Sequence, residues 1–143
     1  MALVYTVSDT PATKLDESGN TMYVMKNAST DNAIASTYLT TSGTYLAASN
    51  ATISKNNLVI IKNNKIIKSV AKDQYFNGTN GNVSFDDSAT NYTISSTNGN
   101  QFTISYYPYS RTYYLKQTSD TAVSMSSGTS GNLNWYFYKV EIE

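Results

Sequence analysis

The side chains that most enzymes use for acid–base or nucleophilic work are missing from this 143-residue chain, which has neither histidine nor cysteine. That removes disulfides, thiol nucleophiles, the usual zinc sites and any imidazole acid–base pair. Serine and threonine make up about a quarter of the residues, but without histidine no serine triad can be assembled. A serine–lysine pair is formally available, although nothing in the local sequence marks one. The carboxylates Asp86 and Asp87 are adjacent, with Asn80 and Asn82 close by. A calcium loop would need alternating Asp/Asn closed by a glutamate. Glycoside hydrolysis would need two carboxyls across a cleft, one with a raised pKa. Neighbours on a strand point to opposite faces, so the pair suits neither chemistry. The expectation is a non-enzymatic chain with no metal and no cofactor.

Binding chemistry is better represented. Tyr106-Tyr107-Pro108-Tyr109-Ser110-Arg111-Thr112-Tyr113-Tyr114 is the densest aromatic cluster. Tyrosine offers a flat apolar face and a hydroxyl at low entropic cost, which suits sugar stacking or a protein interface. Pro108 interrupts any strand and places Tyr107 and Tyr109 on a loop tip or edge. Arg111 is the only arginine, and its planar fork could add a bidentate contact. The candidate ligand-binding residues are Tyr106, Tyr107, Tyr109, Arg111 and Trp135. A second feature is the lysine run Lys55, Lys62, Lys65, Lys68 and Lys72, with no acid inside it. It could dock an acidic partner. The simpler expectation is lysine on an exposed or edge strand, where it blocks sheet-to-sheet pairing. Asn-x-Ser/Thr triplets at Asn27, Asn50, Asn77, Asn82 and Asn91 match chance for so hydroxyl-rich a chain and carry no weight.

Charge and hydropathy narrow the partners. Net charge is zero and charged residues are 14% of the chain, whereas a nucleic-acid binder normally carries a basic excess. No apolar run approaches the roughly 20 residues that a membrane helix needs. The start, Met1 to Asp9, has no basic segment followed by a long apolar one, so no signal peptide is expected. With 40% hydrophobic residues, the chain is large enough for one domain, 1–143, with its own core.

Those groups must be positioned by strands. Thr and Tyr favour strands, Asn, Ser and Gly favour turns, and no segment sustains a helical apolar period. Strands are expected at 3–7, 22–25, around Tyr38-Leu39 and Tyr45-Leu46, at 58–61 and 66–70, and around Tyr75-Phe76. Further ones follow at 82–85, 91–94, 102–105, 112–115, 122–125 and 135–140. Lys62-Asn63-Asn64-Lys65 reads as a hairpin with a two-residue turn, because two asparagines tolerate the positive φ that such a turn requires. Regular spacing near ten residues points to an all-β barrel, trefoil or sandwich.

The chain also repeats itself. Tyr75-Phe76 with Val83, Phe85 and Tyr92-Ile94 parallels Tyr114-Leu115 with Val123, Met125 and Trp135-Phe137. A fainter first copy is Tyr45-Leu46, Ile53 and Leu58-Ile60. Three units, roughly 22–61, 62–97 and 101–140, each match a four-strand module that cannot bury its apolar face alone. The pattern resembles the β-trefoil repeat of ricin-like lectins and the repeat modules of gut-bacterial surface proteins and gut phage. Of that family's Gln-x-Trp signature only Trp135 is present, after Asn132-Leu133-Asn134. The resemblance implies a β-trefoil-like fold, with an antiparallel sandwich or jelly roll as the alternative. It also implies a lectin-like, carbohydrate-binding recognition module at an extracellular or virion surface. The alternative function is a structural virion protein of a bacteriophage: capsid decoration, head fibre or tail component. The expected partner is a glycan or a protein in a larger assembly, a homo-oligomer included, with no nucleic acid and no membrane insertion.

Overall fold

In segment after segment, apolar and polar side chains alternate with the period of two that puts every second residue on one face of a strand. In the computed structural model, which describes residues 3–63, 65–107 and 110–142, the chain forms thirteen strands, one turn of α-helix and one turn of 3-10 helix (Lys55–Asn57). The first strands are β1 (Tyr5–Val7), β2 (Met22–Asn27), β3 (Tyr38–Thr40), β4 (Ala47–Ser49), β5 (Val59–Lys62), β6 (Ile66–Ser69) and β7 (Gln74–Asn77). The rest are β8 (Ser84–Asp86), β9 (Thr93–Ser96), β10 (Phe102–Tyr106), β11 (Tyr113–Gln117), β12 (Val123–Ser127) and β13 (Trp135–Ile142). The protein is all-β, as the composition implies. The turn of α-helix, α1 (Asn32–Ala35), lies where only strands were expected. Asp31 caps it by accepting from the Ala33 N–H at 3.0 Å, and Ile34 is its buried residue. No helix among the described residues is long and apolar enough to cross a membrane.

Every strand pair is antiparallel, and five pairings with one further backbone hydrogen bond link six strands in a ring. Strand β2 pairs with β5, and β5 with β6. The Tyr92 N–H then donates to the Lys65 carbonyl at 2.7 Å, joining the start of β6 to the start of β9. Strand β9 pairs with β10, β10 meets β13 at Phe102↔Trp135, and β13 returns to β2 over six residue pairs. Three hairpins stand off this ring: β3–β4, β7–β8 and β11–β12. They interlock in all three combinations. The Leu46 N–H donates to the Val83 carbonyl at 2.8 Å, the Ala48 N–H to Thr121 at 3.0 Å, and Gly81 and Met125 exchange two bonds of 2.8 Å.

One core cluster fills the space between ring and hairpins. It draws Tyr23 and Met25 from β2, Val59 and Ile61 from β5, Phe102 and Ile104 from β10, and Trp135 and Phe137 from β13. Phe137 takes Tyr23 and Phe102 edge-to-face, with ring centroids 5.9 and 5.6 Å away. The hairpins add Leu39, Leu46, Phe76, Val83, Leu115, Val123 and Met125.

The hairpin registers correct the first copy of the repeat. Leu39 faces Ala48, Phe76 faces Phe85 and Leu115 faces Met125 across their hairpins. The counterpart of Tyr75-Phe76 and Tyr114-Leu115 is therefore Tyr38-Leu39, not Tyr45-Leu46. Leu46 lies two residues before Ala48, as Val83 precedes Phe85 and Val123 precedes Met125. It is buried like them, while Tyr45 is 50% exposed. The closing strand of the first copy shifts likewise: Val59 and Ile61 join the main core, and Leu58 packs in a smaller cluster with Val24 and Val140.

The lysine run also takes a different role. β5 and β6 have strand neighbours on both sides and are not edges. Lys62 instead lies across Gly19, whose φ of +84° and lack of a side chain leave room for it. Lys68 sits 5.3 Å from the centre of the Tyr75 ring and pairs with Asp73 at 2.7 Å, and Lys72 covers Phe85 at 5.2 Å. In the turn between them, Asn63 adopts φ +56°, as expected; Asn64 lies outside the described residues. The Lys62↔Ile66 register makes this a three-residue connection.

The long connection before β2 is tied by Asp16, which accepts from the Ser18 hydroxyl (2.7 Å), the Thr21 hydroxyl (2.6 Å) and the Ser18 N–H (2.9 Å). These bonds lower its pKa from 3.8 to about 2. Folding thus favours the ionised form, so the contribution to stability is present above pH 3.8 and is lost as pH falls towards about 2. Asp16→Asn should lower the urea midpoint at neutral pH, and the gap to the parent protein should close as the pH is taken down through that window. The hairpin equivalence has its own test in chemical denaturation. Leu39→Ala and Leu115→Ala should each cost about 2–5 kcal/mol, whereas Tyr45→Ala should stay within about 0.5 kcal/mol.

Candidate functional site

The hairpin equivalence places Tyr38, Tyr75 and Tyr114 at matching positions, each half-buried beside its buried apolar neighbour. In the first copy the Lys26 ammonium lies 5.2 Å from the centre of the Tyr38 ring, and in the second Lys68 covers Tyr75. Lys68 is the strand partner of Tyr75, and the corresponding partner of Tyr114 is Ser105. A serine is too short to cover a ring. Among the described residues, Tyr114 is the one of the three without a lysine over its face.

That ring lines a depression of about 370 Å³ at the open end of the β11–β12 hairpin. Arg111, Thr112 and Tyr114 form one side, and Ser127, Gly128 and Thr129 the other. The Gly128 N–H donates to the Thr112 carbonyl at 3.3 Å, and a φ of +85° at Gly128 turns the chain away beyond the strand pair. Below it, the buried Lys116 donates its ammonium to the Ser127 carbonyl at 3.1 Å. Neither Arg111 nor Lys116 makes an ion pair among the described residues, and no lining residue is acidic. The site therefore offers an aromatic face, three hydroxyls and a guanidinium. It offers no carboxylate, thiol or imidazole to move a proton.

The expected site residues separate into three groups. Arg111 is exposed and lines the depression. Tyr107, 64% exposed, lies on the same β10–β11 connection without lining it. Tyr106 is half-buried, pairs with Tyr113 and packs on the main core. Tyr109 and Pro108 lie outside the described residues. Trp135 is corrected outright: it is fully buried, and its indole N–H donates to the Leu115 carbonyl at 3.0 Å. A ring enclosed on all sides cannot stack on an external ligand, so Trp135 belongs to the core. Sequence reasoning did not single out Tyr114, which lines the depression, because it was assigned to the repeat. The signal that would have found it is the break in the Lys26, Lys68, Ser105 series.

A second depression of about 320 Å³ is lined by Ser36, Thr37, Ser49, Asn50, Asp120 and Thr121, among others. Thr37 is buried there and accepts from the Gln117 amide at 2.8 Å. This depression is polar but has no aromatic wall. The shifted groups elsewhere do not build a site. Burial raises the Tyr92 phenol, whose hydroxyl donates to the Gly78 carbonyl at 2.7 Å, and burial with the nearby Tyr136 raises Tyr138.

Because Trp135 is the only tryptophan, its placement can be read by fluorescence. Its emission should be blue-shifted in the native protein, resistant to acrylamide quenching, and unchanged by any ligand that occupies the Arg111–Tyr114 depression. Strong quenching in the folded state would contradict the burial. Among known proteins, no family model, no curated protein and no solved structure matches this chain.

Proposed function

We propose that this chain is a non-catalytic glycan-recognition module of β-trefoil type, acting at an extracellular or virion surface. The fold assignment is supported by the ring of six paired strands, the three hairpins that interlock pairwise, and the matched triplet Leu39, Phe76 and Leu115. Each of the three units contributes one hairpin and two strands of the ring, which is what a trefoil requires.

The functional assignment rests on one observation: half-buried Tyr114, with no lysine over its ring among the described residues, lines a depression walled by hydroxyls. Sugars are bound by stacking of a C–H face on an aromatic ring together with hydrogen bonds from neutral groups, and tyrosine provides that face at low entropic cost. The Thr112, Ser127 and Thr129 hydroxyls can each donate and accept. Exposed Tyr107 on the adjoining connection can extend the contact to a second sugar unit. The absence of histidine and cysteine from the chain, and of acid from the walls, supports binding without turnover.

Glycan-array screening followed by titration calorimetry tests this assignment. Binding should be detected, and Tyr114→Ala should weaken it at least on the order of ten-fold, about 1.4 kcal/mol, with an unchanged urea midpoint relative to a Tyr45→Ala control. A blank array, together with assembly of the protein into a larger particle, would instead favour a structural role in a virion.

A further inference from the structure

On the glycan-binding assignment, we infer that the Arg111–Tyr114 depression selects a sugar bearing an anionic group, a carboxylate or a sulfate ester. The whole chain is electrically neutral, but this depression is not. Arg111 stands on its wall without an ion pair among the described residues. Its guanidinium presents a planar fork that fits a carboxylate or sulfate edge through two parallel N–H···O bonds. Lys116 sets a second positive charge behind the opposite wall, where its ammonium is bonded to the Ser127 carbonyl. The acid of the same hairpin, Asp120, lies at its far end and lines the other depression. Local charge is therefore positive on both sides of the Tyr114 ring.

The comparison with the second copy supports the same conclusion. Lys68, over Tyr75, has Asp73 at 2.7 Å, so that cation is already neutralised within the chain. At Tyr114 no lysine lies over the ring and the nearby cations have no carboxylate partner among the described residues. A sugar stacked on Tyr114 with an acidic substituent turned to Arg111 would supply both missing contacts. The depression lined by Asp120 would repel the same ligand.

Three probes of one length separate the possibilities: an oligogalacturonate, a sulfated galacto-oligosaccharide and the uncharged galacto-oligosaccharide. The acidic probes should bind more tightly than the neutral one by on the order of ten-fold, and that preference should fall as ionic strength rises from about 0.01 M to about 1 M. Arg111→Ala should abolish the preference without moving the urea midpoint, and Arg111→Lys should keep only part of it, since a point charge lacks the fork. Comparison of the two acidic probes assigns the preferred group. Equal binding of charged and neutral probes, unaffected by Arg111→Ala but weakened by Tyr114→Ala, would overturn the anion selectivity while leaving sugar recognition intact. Binding of none of the three, with a blank glycan array, would overturn both.

Discussion

The Trp135 side chain joins the two halves of the architecture. Its backbone stands opposite both Phe102 and Asn27, so it closes the ring where the last strand returns to the first. Its indole N–H reaches the Leu115 carbonyl in the third hairpin, which fixes that hairpin to the ring. A fully buried indole brings a large apolar contact area, and its one polar atom must find a partner inside the protein. Strand β13 extends this role along its length, since it pairs with β10, β2 and β1. The chain has no disulfide or metal-binding cysteine to hold its ends, and the strand that closes the ring is the longest in the molecule.

Closure of that kind makes the interior approximately repetitive and leaves the surface free to differ. Inside, Leu39, Phe76 and Leu115 occupy matching positions because all three hairpins must fill the same type of space. Outside, the side chain over each matching tyrosine is constrained only by solubility and local charge. Two copies place a lysine there and the third a serine, so one ring has no lysine over it among the described residues. Distinct surfaces on equivalent frames are the expected outcome when a repeated core carries a single site.

Much of the strand pattern was legible in the chain, and the errors have specific causes. Continuous runs of strand-favouring apolar residues marked the Met22 and Leu58 segments, and alternation marked those at Phe102 and Trp135, because apolar side chains must fall on one face of a half-buried pleated strand. The dipeptide Tyr45-Leu46 looks like Tyr75-Phe76, but pairing follows register, and a residue's partner across a hairpin is not encoded in a dipeptide. Asn32–Ala35 is too short for a helical period to show, and only the Asp31 cap signals it. The lysine run suggested an edge because edge strands carry lysine. Once β5 and β6 acquire neighbours on both sides, the same lysines serve to cover Gly19, Tyr75 and Phe85.

The candidate site divides along the same line. Sequence alone determined that the protein is all-β, that it contains no histidine or cysteine chemistry, and that its aromatic resource is tyrosine concentrated around Arg111. Composition and periodicity are properties of the chain and survive without a fold. Only the tertiary structure decided where those aromatics lie: it buried Trp135, packed half-buried Tyr106 on the core, and set half-buried Tyr114 beside Arg111 in the wall of the depression. Exposure depends on what comes to lie across a side chain, and here lysines lie over two of the rings while the strand partner of the third is the short Ser105.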